Sequence, residues 1–252
     1  MIPWEEIQFK EEIGKGNFGT VNKGYWTKTH EYVACKKITN TKDINDKQST
    51  AFMNELKMHV KLNLCNNIIR FLGVTKDNTN HKYYLIMEFA NNGDLYTYIR
   101  QKHHFLNWNK RLNLALQIAN GLSVLHSEEI IHRDLHDKNI LIHNDEAKIA
   151  DLGHARNDNM ETHVHSNLFG ATPFLAPELL NNSNNFRNLP YCKQTDIYSL
   201  GFLFWELASG RRPALIQLIV KGLSPLSSPL AALMYSCDEA QIYVIMAMII
   251  KL

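Results

Sequence analysis

The chain has 252 residues, 45% of them hydrophobic, which is ample for a buried core arranged as one large domain or two lobes. A net charge of +2 with 21% charged residues provides no global basic field of the kind that favours nucleic acid or a membrane surface. The 4 cysteines, Cys35, Cys65, Cys192 and Cys237, are scattered without paired spacing, so they read as reduced intracellular thiols rather than a disulfide framework or a zinc site.

Met1-Ile2-Pro3-Trp4-Glu5-Glu6 has neither the basic flank nor the apolar centre of a signal peptide. The apolar run 242–250 is too short to span a bilayer, and the cytosol, or else the nucleus, is the expected compartment. No repeat or low-complexity tract is visible. Ile7 to Phe9 and Glu12-Ile13 read as the run-in to a first strand. Next comes Gly14-Lys15-Gly16-Asn17-Phe18-Gly19-Thr20-Val21, a G-x-G-x-x-G-x-V pattern whose glycines let backbone turn tightly and approach phosphate oxygens. A plain Gly-rich hairpin has much the same letters. A Rossmann turn would open a helix, but Val21 to Trp26 continues as strand; no G-K-[ST] follows either, which excludes a Walker-type loop.

Glu31 to Ile38 is the next strand, and its alternation places Ala34 and Lys36 on one face with Lys37 on the other. A polar linker, Thr39 to Thr50, leads into a helix over 51–62, with Phe52, Leu56, Met58, Val60 and Leu62 expected to cover the sheet. Glu55 would lie inward, where a carboxylate is costly unless paired. Ile68 to Val74 and Lys82 to Glu88 read as two further strands across a turn at Asp77-Asn78-Thr79-Asn80. Glu88-Phe89-Ala90-Asn91-Asn92-Gly93-Asp94-Leu95 then turns polar, and helical periodicity takes over. Asp94 is placed to cap a short helix through Arg100. Trp108 to His126 carries apolar residues nearly all round, as expected at the centre of a lobe.

That long helix runs into Ile131-His132-Arg133-Asp134-Leu135-His136-Asp137-Lys138-Asn139-Ile140-Leu141, a polar loop between two short apolar runs that read as buried strands. Pinned at both ends, it holds a carboxylate and an amide at a fixed separation. Ile149-Ala150-Asp151-Leu152-Gly153 adds a further acid, and Ala176-Pro177-Glu178 closes a polar segment that starts at Ala155.

H-R-D…N, preceded by G-x-G-x-x-G-x-V and V-A-x-K and followed by D-L-G and A-P-E, resembles the eukaryotic protein kinase domain over about four fifths of the chain. The loop is most similar to the tyrosine-kinase-like group, including its large fungal expansions. The resemblance implies an α+β, two-lobed fold: an N-terminal lobe over 1–88 with a small antiparallel sheet and one helix, a hinge over 89–94, and a mainly helical lobe over 95–252. It implies ATP and magnesium as cofactors and a protein as substrate, in a signalling role. Lys36, paired with Glu55, would hold the nucleotide phosphates, and Asp134 would accept the proton of the substrate hydroxyl. Asn139 and Asp151 would supply hard oxygens for magnesium. Ile13, Gly14, Gly16, Gly19, Val21 and Ala34 would cover the nucleotide from the first strands. Met87 as gatekeeper, Glu88 and Ala90 at the hinge, Asp94 near the ribose, and Leu141 complete the expected set.

Some letters depart from the family. His59 stands where an apolar residue of the internal spine is usual, and reads either as a satisfied core histidine or as a weakness in helix docking. His136 replaces a lysine that usually contacts the transferred phosphate, and Lys138 resembles the basic residue of tyrosine-kinase loops; either supplies the positive charge. Leu152 replaces the phenylalanine of D-F-G. Arg133 is a fixed cation able to bind a phosphorylated residue. Thr162, Ser166 and Thr172 are the candidate sites for an upstream kinase acting on the activation segment. His154, His163 and His165 read as solvated histidines rather than metal ligands. Asp196 opens an apolar helix over 196–207, either as its N-cap or as a brace for the loop backbone. The tail over 214–252 contains no arginine to pair with Glu178, which puts stability in doubt more than chemistry. An ATP-dependent protein kinase, Ser/Thr or dual specificity, is therefore the expected activity. The alternatives are a catalytically weak or silent kinase-fold scaffold and a nucleotide-binding module outside the family.

Overall fold

The structure is a computed structural model, and it describes residues 1–16, 19–38, 46–80, 82–102, 106–157, 174–176, 179 and 191–210. Two compact units divide the chain, Met1–Asn91 and Asn92–Leu252.

The first unit is an antiparallel sheet of order β1-β2-β3-β5-β4 with one helix. Its elements are β1 (Ile7–Gly16), β2 (Gly19–Trp26), β3 (Glu31–Lys37), α1 (Asp46–Leu62), β4 (Phe71–Lys76) and β5 (Tyr83–Glu88). Period-two alternation decides what each face of β3 carries. Val33 and Cys35 are fully buried in a core with Ile2, Ile7, Tyr84 and Ile86, against which Trp4, Phe9, Trp26 and Leu72 pack. The opposite face carries Ala34 and Lys36. In cross-strand register, Lys36 stands between Val21 and Leu85, and Ala34 between Lys23 and Met87. Burial pushes the Cys35 thiol up to about 12.

Local differences from the sequence reading have physical causes. β1 runs unbroken through Gly16, with register shifts between Phe9 and Glu12 and between Glu12 and Gly14 where two short pieces were expected. α1 begins at Asp46, inside the expected linker. Met58, His59 and Leu62 are buried on it, while Val60 is 60% exposed. Spacing of Met58, Val60 and Leu62 by two residues belongs to a strand, and a helix turns the middle one outward. Phe52's side chain lies outside the described residues. β4 starts at Phe71 rather than Ile68; Ile68 and Ile69 are buried in the connection before it. Glu88 ties that connection down, its carboxylate accepting from the Arg70 N–H at 2.7 Å and its own N–H donating to Arg70 O at 2.9 Å.

The second unit contains α2 (Leu95–Lys102), α3 (Trp108–Ser127), β6 (Ile130–Ile131), a 3-10 turn over Asp137–Asn139, β7 (Ile140–His143), β8 (Glu146–Ile149), β9 (Arg156–Asn157) and α4 (Lys193–Ser209). Asp94 caps α2 by accepting from the Thr97 N–H at 2.7 Å, and Asn107 caps α3 through the Lys110 N–H at 3.0 Å. β7 and β8 pair across Asn144 and Asp145, whose φ of 51° and 64° fit a type I′ turn. α4 starts three residues before Asp196, with Cys192 as its N-cap, and ends at Gly210, whose φ of 68° returns its N–H to Glu206 O at 2.8 Å.

α3 is the centre of this unit. It buries Leu114, Ala115, Ile118, Ala119, Leu122 and Leu125, and with them the charged Arg111. Leu112 and Leu116, on the same nearly all-round apolar helix, are only partly buried. The Arg111 guanidinium donates to Leu106 O at 2.9 Å, Leu207 O at 2.6 Å and Ala208 O at 3.1 Å, so it satisfies carbonyls at the C-terminal end of α4. None of the described helices is long and apolar enough to cross a membrane.

Replacing Arg111 by Leu leaves those buried carbonyls without a donor, and the expected loss is about 2–3 kcal/mol of stability in urea unfolding. An unchanged unfolding midpoint would show that water takes over the three bonds.

Candidate active site

In the first unit, the Lys36 ammonium donates to Glu55 Oε1 at 2.7 Å, with both side chains largely shielded. A carboxylate on the inward side of α1 therefore meets a cation on the facing strand, as its burial requires. Burial alone would raise the Glu55 pKa, but the His59 ring and the Lys36 ammonium outweigh it and hold it below the usual carboxylate value. His59 Nε2 lies 3.9 Å from Glu55 Oε1, and the ring stacks on Phe71 with centroids 5.8 Å apart. Neither ring nitrogen has a hydrogen-bond partner among the described residues, so His59 is a buried but unsatisfied histidine, not a satisfied one.

Around Lys36, the strand register aligns Gly14 with Val21 and pairs Gly16 with Gly19 at the glycine-rich turn. Gly19 has a φ of 126°, a conformation that side-chain-bearing residues rarely adopt. Ile13 is exposed, Val21 and Ala34 are partly buried, and Met87 is buried. Of the expected hinge residues, the Glu88 N–H is already engaged with Arg70 O, and Ala90 is partly buried.

In the second unit, the loop between β6 and β7 is fastened from below by Asp196, 1% exposed in the first turn of α4. Its Oδ2 accepts from the His132 N–H at 2.8 Å and its Oδ1 from the Arg133 N–H at 2.9 Å. His126 Nε2 lies 2.9 Å from the same carboxylate. Asp196 is thus the brace and Cys192 the N-cap, which resolves the two roles open in the sequence. With both N–H groups held, Arg133 takes a φ of 70°, a left-handed conformation that costs a non-glycine residue on the order of 1–3 kcal/mol. Its guanidinium is buried, 4.3 Å over the Tyr191 ring.

Asp134 follows directly. Its N–H donates to His132 Nδ1 at 3.3 Å, and His132 Nε2 in turn sits 3.0 Å from Ala150 O. Burial pushes the Asp134 pKa above the usual aspartate value; His136 and His132 pull it back, and Asp151 adds to the rise. A carboxyl poised this way is suited to general-base work.

Asn139 ends the 3-10 turn. Its Nδ2 donates to Asp134 O at 2.8 Å, which fixes the amide and makes Oδ1 the oxygen available to a cation. The Ala150 N–H donates to Asn139 O at 2.8 Å, so the β7–β8 hairpin delivers Asp151 beside Asn139. Asp151 has a φ of 60° and accepts weakly from the Gly153 N–H at 3.4 Å. Two hard oxygens from adjacent backbone fit magnesium, which takes its remaining ligands from phosphates and water. No cluster of three or more His, Cys, Asp or Glu among the described residues is arranged for a metal ion. Lys138 is exposed, its ammonium 5.9 Å over the Tyr96 ring. Leu141 is partly buried, opposite Asp94.

His154 is not the solvated histidine expected from the sequence. It is buried, with Nε2 3.9 Å from Asp134 Oδ2, and burial lowers its pKa to about 3. Its small neighbours Gly153 and Ala155 hid this, because no local pattern announces a ring folded back against the loop. Nor did any periodic signal reveal His132 as a partner of the loop backbone or His126 as a partner of Asp196. Thr162, Ser166, Thr172, His163, His165, Pro177, Glu178 and the tail over 214–252 lie outside the described residues.

Asp196→Ala strips two buried N–H groups of their acceptor, and a loss of roughly 3–5 kcal/mol in denaturant unfolding is expected, with activity falling in parallel. His154 gives a pH signature. Its ring takes up a proton near the ordinary 6.5 when unfolded but only near 3 when folded, so stability is lost as pH falls between those values. Melting temperature against pH should therefore be flatter below neutrality in His154→Gln than in the wild type; identical slopes would contradict the buried neutral ring.

A protein kinase domain family model matches residues 7–220. The probable serine/threonine-protein kinase kinX of Dictyostelium discoideum is 32% identical over 215 residues, covering 84% of this chain and 19% of that protein. Serine/threonine-protein kinase CTR1 of Arabidopsis thaliana, of the tyrosine-kinase-like group, is 31% identical over 218 residues, 84% of this chain and 25% of its own length. Dual specificity protein kinase splA of Dictyostelium discoideum is 30% identical over 230 residues, 84% of this chain and 9% of its own length. The chain thus spans a quarter or less of each of these relatives. With the matched segment running from β1 past the end of α4, the chain belongs to the protein kinase domain family.

Proposed function

We propose that the chain is an ATP- and magnesium-dependent protein kinase domain that phosphorylates protein hydroxyls, Ser/Thr or with dual specificity. The observation that carries this reading is the loop around Asp134. There a shielded carboxyl with a raised pKa is held by its backbone to Asn139 and His132, next to a second acid at Asp151. Phosphoryl transfer asks a protein mainly for position and charge, and each is present in a separately fixed group.

Bound Mg-ATP supplies the transferable phosphoryl group and the charge neutralisation at its oxygens. Lys36, paired with Glu55 at 2.7 Å, would offer its ammonium to phosphate, and the glycine-rich turn would offer backbone N–H groups. Asn139 and Asp151 would hold the metal through their side-chain oxygens. Asp134 takes the hydroxyl proton as the acceptor oxygen attacks, and the raised pKa matches it to that transfer. The names of relatives, serine/threonine and dual specificity kinases, support the choice of acceptor. An upstream kinase acting on the segment between Asp151 and Ala176 is part of the same proposal, as are the division of roles among residues 1–88, 89–94 and 95–252 and a signalling role.

Purified protein given Mg-ATP should label itself or a generic basic protein substrate. Asp134→Asn should reduce the rate by about 10²–10⁴-fold while retaining the thermal shift with Mg-ATP. Lys36→Met should lose both. Equal labelling by wild type and Asp134→Asn would overturn the enzyme reading.

A further inference from the structure

The Asp134 carboxylate has one oxygen, Oδ1, that is shut off from solvent and has no hydrogen-bond partner among the described residues. Such an oxygen needs a donor, because an unpaired buried acceptor costs free energy. His136 Nε2 is 3.5 Å away, just beyond the roughly 2.7–3.2 Å of a completed bond. What this imidazole can offer is decided at its other nitrogen. His136 is the N-cap of the 3-10 turn, and its Nδ1 accepts from the Lys138 N–H at 3.1 Å. A nitrogen that accepts a backbone N–H carries no proton itself, so the proton of the neutral ring sits on Nε2, the atom facing Asp134. For the same reason Asp137 Oδ1, 3.7 Å from Nδ1, is no ion-pair partner of this ring.

We propose that His136 is a positioning residue for phosphoryl transfer: its Nε2–H binds Asp134 Oδ1, orients the carboxyl and leaves Oδ2 to take the hydroxyl proton. This rests on the kinase reading above. It also assigns the ring a different task from the positive charge expected of it in the sequence. One ring performs two jobs, capping the turn through Nδ1 and holding the base through Nε2, and two conservative substitutions separate them. Asn is a good N-cap whose oxygen replaces Nδ1 but whose amide is too short to reach Asp134. Gln carries an NH2 group close to the position of Nε2 and gives up the cap.

His136→Asn should keep its melting temperature, and KM for ATP within about twofold, while kcat falls on the order of 10- to 100-fold. His136→Gln should melt lower yet retain more kcat than His136→Asn. A kcat for His136→Asn within about twofold of wild type would overturn the proposal, as would a folded His136→Gln no better than His136→Asn. A second measurement does not depend on turnover. With ¹⁵N-labelled histidine, the His136 ring should appear as the Nε2–H tautomer, and Asp134→Ala should move its Nε2 resonance. The opposite tautomer, or a resonance indifferent to Asp134→Ala, overturns the proposal. Wild-type protein that fails to transfer phosphate would instead sink the kinase reading, while the resonance still decides whether His136 holds Asp134.

Discussion

Two backbone N–H groups, on His132 and Arg133, end on the same buried carboxylate, and the loop that follows has its shape because of it. Asp196 reaches them from the first turn of α4, a largely apolar helix, and its charge is tolerable there because the bonds it makes are directed. Without those acceptors the left-handed turn at Arg133 would have little to hold it. With them, Asp134 emerges at a fixed angle and Asn139 closes the loop onto its backbone. α4 is itself fastened at its far end by Arg111 from α3, so the brace rests on a helix anchored at both ends.

Three buried charges, in both units, are matched with partners of suitable shape rather than merely shielded. Lys36 meets Glu55 as a single close pair, Arg111 spreads its guanidinium over three carbonyls, and Asp196 divides its oxygens between two amides. Arg133 stands apart, lying on the face of Tyr191 with Nε lacking a hydrogen-bond partner among the described residues. An aromatic face compensates a cation only in part, and burial lowers the Arg133 pKa accordingly.

Much of this was legible before any coordinates. Alternation in Val33-Ala34-Cys35-Lys36 separated the core face from the face that carries Ala34 and Lys36, because period-two burial is a local property. Apolar runs on either side of His132 to Asn139 marked a loop pinned by strands, and β6 and β7 are those strands. Long-range contacts were less accessible. His154 looked solvated because the Asp134 carboxyl it lies against is twenty positions away in the chain. The N-terminal turn of α1 was missed for a related reason: Asp46 to Thr50 is polar throughout, and only the helix it extends makes it helical.

Cys35 sits one residue before Lys36, on the core side of β3, with a thiol kept protonated far above neutrality. Thiolate chemistry is therefore closed to it while the strands stay together. A maleimide or iodoacetamide can reach that sulfur only when the sheet parts, so its rate of alkylation clocks how often the lysine-bearing strand comes loose, a built-in timer for breathing of the first unit.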